Sequence, residues 1–283
     1  MEVAHSKRNS IALLICYNGK LPWYFNYFVH SSKYNPSIDF IIITDDTSYN
    51  RPIPPNLKLV YKTLIEINEQ AEMKLKLAVK ITNGYKLCDF KPTYGILFSE
   101  LLQGYDFWGH GDIDMVFGNI RDFITEEVLE NNDVISVRHD FLTGQFLLFR
   151  NNEKMNNLFS LSKDYEKVLG SEKHYCFDET NFQWQSFTEG KTYHEIPSEV
   201  ESMTHLVKRL EHEKYLKVHF DFLIVEGLPG KLKWERGKLT YRNKYEILLY
   251  HMVLFKNVYH PKKSVKAIPD AFTISPTRIY HSK

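Results

Sequence analysis

Uninterrupted apolar runs alternate with amphipathic segments in the first half of the chain. Residues 11–16 and 38–44 are apolar runs of strand length, and Pro22, between them, suits the first turn of a helix. Each run is followed by polar residues. The order strand, helix, strand predicts the start of a parallel α/β sheet, in which ligands bind at the carboxyl ends of the strands.

Further elements are expected without a linker up to about residue 185. Residues 63–80 and 152–169 have helical composition, and Lys91 with Pro92 is expected to begin a helix that ends at Gly104. Strands are predicted at residues 133–137 and 141–150. The predicted architecture is therefore an α/β core over residues 1–185.

The remaining residues, 186–283, predict a smaller C-terminal α+β extension packed with the core as one domain. Ser198 and Glu201 have the spacing of a capping box before a helix that runs to about His212. Residues 218–225 predict one strand. A hairpin is expected to turn at Arg236 and Gly237.

The composition restricts the class of protein. The 283 residues contain 36 Lys and Arg against 35 Asp and Glu, which gives no argument for a nucleic-acid partner. Cys16, Cys88 and Cys176 lack metal-ligand spacing and are expected to be reduced, buried thiols. The early apolar run is too short for a signal peptide or a membrane span, so we expect a cytoplasmic protein.

The chemistry is concentrated in residues 104–120, where an apolar run ends in Asp112-Ile113-Asp114. Two carboxylates one residue apart at a strand end point to the same side. Mg²⁺ or Mn²⁺ commonly binds such carboxylates together with substrate phosphates, although an Asp-x-Asp can also arise by chance in an acidic loop. The pair predicts a cation that would stabilise a diphosphate leaving group. His110 would face the same site if the strand is regular, whereas Trp108 is expected in the core.

With these parts in this order, the chain resembles GT-A-type glycosyltransferases. The similarity is to bacterial Asp-x-Asp transferases of capsule and lipopolysaccharide synthesis and, distantly, to the retaining family 8 enzymes. It covers about residues 10–185, is most specific at 107–118, and is weaker at 251–256. The resemblance implies a Rossmann-like, mostly parallel sheet flanked by helices.

The resemblance also implies residues for the donor and the cation. The ends of the first two strands would hold the nucleotide through Cys16, Tyr17, Asn18, Thr44, Asp45 and Asp46. The two adjacent aspartates could instead cap a turn. Lys91 would approach the sugar or the diphosphate. The implied metal ligands are Asp112, Asp114 and His251, with Lys256 on the diphosphate and His260 as the alternative histidine.

Two further pairs are assigned by the same resemblance. Gly144 and Gln145 would form the acceptor site, although the glycine could equally mark a β-bulge. Asp178 and Glu179 would lie beside the anomeric carbon, as catalytic residues of a retaining enzyme, unless Asp178 is a helix cap. An inverting enzyme would instead need a general base, for which Asp140 or Asp221 could serve.

The predicted function is metal-dependent transfer of a hexose from a nucleotide sugar, UDP-sugar first, in surface polysaccharide or glycoconjugate synthesis. The acceptor would be a glycan or a lipid-linked saccharide. Two alternatives remain: a nucleotidyltransferase or sugar-nucleotide hydrolase, and a non-catalytic glycan-binding module. Peripheral contact with the inner face of the membrane is predicted for the basic residues Lys256, Lys262, Lys263 and Lys266.

Overall fold

The computed structural model describes residues 8–261 and 267–281. In these residues the strands are β1 (Ile11–Tyr17), β2 (Ile38–Thr44), β3 (Leu57–Tyr61), β4 (Phe107–Gly111), β5 (Met115–Phe117), β6 (Val134–Ser136), β7 (Phe146–Arg150), β8 (Val218–Phe220), β9 (Ile224–Glu226), β10 (Leu232–Glu235), β11 (Lys238–Tyr241), β12 (Tyr245–Glu246), β13 (Leu249–His251), β14 (Ala271–Ile274) and β15 (Ile279–His281).

The helices lie between these strands. The α-helices are α1 (Phe25–Ser32), α2 (Leu64–Leu75), α3 (Tyr94–Leu97), α4 (Glu126–Asn131), α5 (Glu153–Asn156), α6 (Tyr165–Leu169), α7 (Trp184–Thr188), α8 (Met203–His212) and α9 (Phe255–Val258). The 3₁₀ helices are Gly84–Thr93, Ser99–Leu101, Ile120–Asp122 and Leu158–Leu161. No helix in the described ranges combines the length and the apolarity that crossing a bilayer requires.

The main sheet has seven strands in the order β3-β2-β1-β4-β7-β6-β8. The first four are parallel to one another, β7 is antiparallel to both of its neighbours, and β8 is parallel to β6. The predicted α/β class with a mostly parallel sheet is confirmed. Because β8 belongs to this sheet, residues on both sides of position 185 contribute to it.

The central strands are buried on both faces. Ala12 and Leu14 of β1 belong to one apolar cluster, and Leu13 and Ile15 belong to another. Since successive strand side chains point to opposite faces, each face of the sheet packs against its own core. This explains why the apolar run of β1 is uninterrupted.

The C-terminal part adds two small sheets. A five-stranded antiparallel sheet has the order β12-β11-β10-β14-β15, and a three-stranded sheet has the order β5-β13-β9. The predicted hairpin is confirmed: Arg236 and Gly237, between β10 and β11, both have positive φ, at 46° and 88°, which the tight hairpin turn requires. Trp234 links the five-stranded sheet to β5, because its Nε1 donates a hydrogen bond to the Phe117 carbonyl at 2.8 Å.

Several predicted element boundaries are wrong, and the strand expected at residues 141–150 begins only at Phe146. Residues 218–225 form two strands of different sheets, because the chain leaves the main sheet after β8 and pairs with β13 through β9. Residues 152–169 divide into α5, a 3₁₀ turn and α6. Lys91 lies within the 3₁₀ helix Gly84–Thr93 rather than at a helix start, because Asn83 caps that helix through the Lys86 amide.

The capping box predicted at Ser198 and Glu201 is also wrong. Helix α8 begins at Met203 with Ser202 at its N-cap, and the Glu201 carboxylate accepts from Arg209 Nε at 2.8 Å. A complete capping box is present elsewhere, at Thr63 and Glu66 before α2. The spacing of Ser198 and Glu201 therefore does not mark a helix start, because the helix begins only at Met203.

Candidate functional site

The Asp-x-Asp segment lies at the carboxyl end of the parallel strands. Strand β4 ends at Gly111, so Asp112 and Asp114 belong to the link between β4 and β5 rather than to a regular strand. The link is fixed by two backbone bonds: the Asp112 amide donates to the Gln145 carbonyl at 3.2 Å, and the Met252 amide donates to the Asp114 carbonyl at 2.9 Å. Strand β1 is parallel to β4, so Tyr17 ends at the same edge of the sheet.

His251 faces both carboxylates from strand β13. Its Nε2 lies 3.4 Å from Asp114 Oδ2 and 4.0 Å from Asp112 Oδ2. One ligand atom from each of these three residues lies within 4.8 Å of the others. The antiparallel pairing of β13 with β5, which places His251 opposite Met115, brings the histidine to this position.

The donor set of these three residues fits a divalent cation. His251 Nδ1 lies 3.0 Å from Glu226 Oε1, which leaves Nε2 directed at the two aspartates. A carboxylate on the far nitrogen is the usual arrangement around a metal-binding histidine. Carboxylates suit Mg²⁺ and Mn²⁺, and an imidazole ligand favours Mn²⁺ of the two. His260, the alternative histidine, is exposed and lies outside this group.

Two lysines neutralise the aspartates. Lys256 Nζ lies 2.7 Å from Asp114 Oδ2, and Lys91 Nζ lies 2.7 Å from Asp112 Oδ1. Lys91 also donates to the Gly144 carbonyl at 2.9 Å. Burial acts to lower the pKa of Lys91, but the Asp112 charge outweighs it and the pKa lies well above its usual value. A cation that binds Asp114 would have to compete with Lys256.

The same charges shift the pKa values of the candidate ligands. Burial opposes ionisation of both groups. Hydrogen bonding and attraction between His251 and Asp114 outweigh burial, and they raise the pKa of His251 to about 10 and lower that of Asp114. Because a metal ligand must be deprotonated, cation binding at His251 would release a proton.

A cavity of about 640 Å³ opens in front of this cluster. Its lining includes predicted site residues, namely Cys16, Tyr17, Asn18, Lys91, Asp112, Asp114, Gly144, Asp178, Glu179, His251 and Lys256. It also includes residues that no motif indicated, namely Tyr24, Ile113, Asn83, Gly84, Tyr85, Cys88, His174, Cys176, Trp184 and Val253. The three cysteines are free thiols, as expected, but only Cys176 is fully buried.

Four predicted site residues lie outside this lining. Asp46 accepts from the amides of Leu21 and Ser48 at 2.8 Å each, so it closes a turn. Asp45 accepts from the Gly19 amide at 2.6 Å and from the Asn18 side chain. Thr44 Oγ1 accepts from the Asp46 amide. These three shape the loop after β1 without lining the cavity, and the fourth, Gln145, lines a second cavity.

Gly144 is required by a close approach rather than by a β-bulge. A Cβ atom at this position would lie 2.6 Å from Asp178 Oδ2 and 3.1 Å from Lys91 Nζ. The Gly144 amide donates to Glu179 Oε1 at 2.6 Å, and Trp184 Nε1 donates to Glu179 Oε2 at 2.6 Å. A side chain here would therefore separate the lysine from the acidic pair.

Asp178 is buried, and no helix begins at it, which excludes the capping interpretation. Its Oδ2 lies 3.5 Å from Lys91 Nζ. Burial raises the pKa of Asp178 well above its usual value, the Lys91 charge acts against this, and Glu179 adds to it. Asp178 is thus a buried acid that orients Lys91.

The second cavity, of about 500 Å³, shares the wall residues Glu179, Trp184, His251 and Val253 with the first. Sequence reasoning missed its main cation, Arg138. This guanidinium binds Asp140 with two bonds of 2.8 and 2.6 Å and Glu226 at 3.1 Å. Asp140 and Asp221, the suggested general bases, line neither cavity, and Asp221 is exposed.

His110 and Trp108 are core residues. The His110 ring is fully buried, with Nδ1 lying 3.2 Å from the Gly144 carbonyl, and it does not line the cavity. Trp108 is stacked on Phe149 with 4.7 Å between the ring centres, as expected of a core residue. His110 therefore supports the Gly144 backbone from behind.

Comparison with protein families places the chain in a family. A family model matches residues 13–283. The chain belongs to DUF6625. That family is described as one of unknown function, so its name supplies no activity. A comparison with curated proteins finds no match. The function of this DUF6625 protein is therefore argued from the site.

Proposed function

We propose that this protein is a metal-dependent glycosyltransferase of GT-A type that moves a hexose from a nucleotide sugar, with UDP-sugars as the first candidates, to a glycan acceptor. The observation that carries the proposal is the convergence of Asp112, Asp114 and His251 with Lys91 and Lys256 on one wall of a 640 Å³ cavity. This wall lies at the carboxyl edge of the parallel strands, where ligands of open α/β sheets bind.

The candidate ligands and lysines suit a diphosphate. Asp112, Asp114 and His251 would hold Mn²⁺ or Mg²⁺, and the bound cation would neutralise the departing nucleoside diphosphate. Lys256 now neutralises Asp114. Once a cation takes that role, the ammonium is left beside the diphosphate, where it would bind phosphate oxygens.

Aromatic and amide groups of the same cavity lining suit a nucleoside. Tyr85 is 65% exposed, and its ring centre lies 4.3 Å from that of His174. Exposed aromatic faces of this kind bind bases and sugars by stacking. Asn18, on the same lining, donates one side-chain N–H to Asp45 and retains a second N–H and its amide oxygen.

The placement of the acids supports retention of configuration. Glu179 lies on the wall between the two cavities, fixed by the Gly144 amide and the Trp184 indole. Its carboxylate would stabilise positive charge at the anomeric carbon while Asp178 keeps Lys91 in place. The base that an inverting enzyme would need is not offered by Asp140, because Arg138 and Thr188 occupy it.

The alternatives fit the site less well. A nucleotidyltransferase or hydrolase would use backbone amides of a glycine-rich loop after β1, but the Gly19 amide is already bonded to Asp45. A glycan-binding module gives no reason for two lysine-paired aspartates, one of them buried, around a histidine. The proposal includes a cytoplasmic location. Of the basic residues suggested for membrane contact, Lys256 is bound to Asp114, and Lys262, Lys263 and Lys266 lie outside the described residues.

The proposal is tested by calorimetric titration of UDP with and without Mn²⁺, on the wild type and on Asp114→Asn. Metal-dependent binding that is lost in the variant is expected. The matched control is Asp122→Asn, an exposed aspartate in the 3₁₀ helix Ile120–Asp122, which should bind as the wild type does. Failure of UDP, GDP and CMP alike would overturn the proposal, whereas binding of one would direct a screen of the corresponding nucleotide sugars.

A further inference from the structure

A third cavity, of about 400 Å³, adjoins the second. Arg138 lines the second cavity, its ion-pair partner Asp140 lines the third, and Thr188 lines both. Trp184, at the start of the same helix α7, lines the first two. At 1.5 Å per residue, α7 advances about 6 Å from Trp184 to Thr188. The three cavities are therefore neighbours that share wall residues at the two ends of one short helix.

The third cavity is lined by basic side chains, of which Lys191 is already paired with Glu189 at 3.2 Å. Two lysines and three histidines line it, namely Lys191, Lys208, His139, His194 and His212. Asp140 is the only carboxylate in that lining, and it already accepts two bonds from Arg138 and one from Thr188 at 2.9 Å. Little negative charge is left to repel an anion.

Lys208 is a half-buried ammonium group without an anionic partner. Its Nζ lies 4.5 Å from the centre of the Phe220 ring and 6.0 Å from that of Phe187. Over residues 8–261 and 267–281, no hydrogen-bond acceptor or carboxylate contacts it. Burial lowers the pKa of Lys208, and Glu211 and Asp140 act on it only from a distance. Since a charge that has lost part of its hydration is costly without a counter-charge, an anion bound at Lys208 would be stabilised.

Lys208 differs from two buried lysines, Lys86 and Lys91, in the atoms that surround its Nζ. Lys86 and Lys91 each have three oxygen atoms around Nζ. Lys208 has aromatic rings instead, which attract a cation but do not replace a hydrogen-bond acceptor. A phosphate oxygen would supply the missing acceptor and would also meet histidine N–H groups from the same cavity.

We propose that the third cavity binds a phosphate group of the acceptor, so that the acceptor is a phosphate- or diphosphate-bearing saccharide rather than a neutral glycan. The assignment to an acceptor rests on the proposed transferase function. The binding of phosphate at Lys208 does not, because it follows from the charges of the third cavity alone. A phosphate on a soluble glycan and the diphosphate of a lipid carrier share this chemistry.

The first test is calorimetric titration of inorganic phosphate and pyrophosphate into the metal-free protein in the presence of a chelator. The variant Lys208→Met should bind roughly tenfold more weakly or worse. The matched control is Lys154→Met, because Lys154 Nζ also lies over an aromatic ring, that of Tyr215 at 3.9 Å, but lines none of the three cavities. Thermal unfolding of both variants checks that they are folded.

The outcomes separate this proposal from the transferase. No binding to the wild type, or equal binding by Lys208→Met and Lys154→Met, would overturn the phosphate site. UDP with Mn²⁺ should bind Lys208→Met as it binds the wild type. If the wild type binds phosphate through Lys208 but no nucleotide, the phosphate site stands, and its assignment to a glycosyl acceptor is overturned.

A second measurement distinguishes the two sources of phosphate. Sedimentation measures binding of the protein to phosphatidylcholine vesicles with and without a polyprenyl diphosphate. Calorimetric titration separately measures binding of a soluble hexose 1-phosphate. Retention on the doped vesicles that Lys208→Met abolishes identifies a lipid-linked acceptor. Binding of the hexose 1-phosphate alone, with the same dependence on Lys208, identifies a soluble phosphorylated glycan.

Discussion

The 3₁₀ helix Gly84–Thr93 contains two buried lysines, Lys86 and Lys91, and each lies in a cluster of charged groups. The surroundings of the two ammonium groups are alike, whereas the carboxylates that pair with them differ. Lys86 Nζ lies 2.9 Å from Asp89 Oδ2 and 2.7 Å from each of the carbonyl oxygens of Val168 and Lys173. Lys91 likewise meets three oxygen atoms. Each ammonium group therefore has three oxygen atoms around it, and the lysines alone do not show which cluster is functional.

The carboxylates show the difference. Asp89 is fully buried, and it also accepts from the amides of Tyr175 and Phe177 at 2.9 Å each, so it ties that segment to the 3₁₀ helix. The Asp112 side chain is 32% exposed, and its second oxygen faces His251 across 4.0 Å. A buried ion pair whose acceptors are filled is structural. A buried ion pair whose carboxylate has an oxygen atom exposed to a cavity is able to bind a ligand.

The largest effect is expected from Lys86→Met. It would leave Asp89 buried with no permanently charged cation and only the His174 ring beside it, at 3.2 Å, and breaking a buried pair on one side costs about 3–5 kcal/mol. Lys91→Met should cost clearly less, because Asp112 is partly solvated and Asp178 can take up a proton. Urea unfolding of both variants in the metal-free protein measures the two losses. Equal losses would contradict the distinction between the clusters.

The second prediction is that the carboxylates of the two clusters respond to pH with opposite sign. Burial raises the pKa of Asp89, but His174 and Lys86 outweigh it, so the folded pKa is lowered, whereas the pKa of Asp178 is raised. The stability from Asp89 is complete above its unfolded pKa, about 4, and is lost as the pH falls through the lower folded value. The stability from Asp178 is complete below about 4 and is lost as the pH rises through the raised folded value.

Asp89→Asn should therefore be most harmful near neutral pH and less so in acid. Asp178→Asn should become more favourable, relative to the wild type, as the pH rises. Unfolding free energies measured with a chelator from acid to neutral pH give both curves. Parallel curves for the two variants would be the contrary result.

The parts of the site that were predictable from the sequence are those with local chemistry. The Asp-x-Asp pair follows an apolar strand, and a single short stretch carries both His251 and Lys256. The turn at Arg236 and Gly237 follows from glycine's tolerance of positive φ. In each case neighbouring residues determine the feature.

The parts that were not predictable depend on pairing between distant segments. Glu226 supports His251 because β9 and β13 pair in parallel, at positions 226 and 251. Arg138 reaches Glu226 only after β6 is placed in the main sheet. Asp46 was expected to bind nucleotide and instead closes a turn, because the path of the loop brings the Leu21 amide to it. The separation of these residues along the chain does not predict that they are in contact in the fold.

A smaller effect is expected from Glu226→Gln. Glu226 contacts His251, a candidate metal ligand, without being a candidate ligand itself. The variant should bind Mn²⁺ about tenfold more weakly, or about 1.4 kcal/mol, because a carboxylate on the far nitrogen fixes the ring of the histidine and raises its basicity. Titration of Mn²⁺ followed by electron paramagnetic resonance measures this.

The control is Glu235→Gln, since Glu235 pairs with the exposed Lys233 in the five-stranded sheet, whereas His251 belongs to the three-stranded sheet. It should bind Mn²⁺ as the wild type does. A Glu226→Gln protein with wild-type affinity would show that the histidine needs no support, and would weaken its assignment as a ligand.

The smallest effect is expected at Lys173, which takes part in both a buried and an exposed interaction. Its carbonyl oxygen accepts from Lys86, and its side chain pairs with Glu199 at the surface, where the two side chains are 53% and 49% exposed. Lys173→Met keeps the carbonyl and removes the exposed pair and a 5.0 Å contact of Nζ with the centre of the Tyr175 ring. Because these charges are solvated and screened, the urea midpoint should change little. A loss comparable to that of Lys86→Met would mean that charge itself, and not its burial with filled acceptors, stabilises this region.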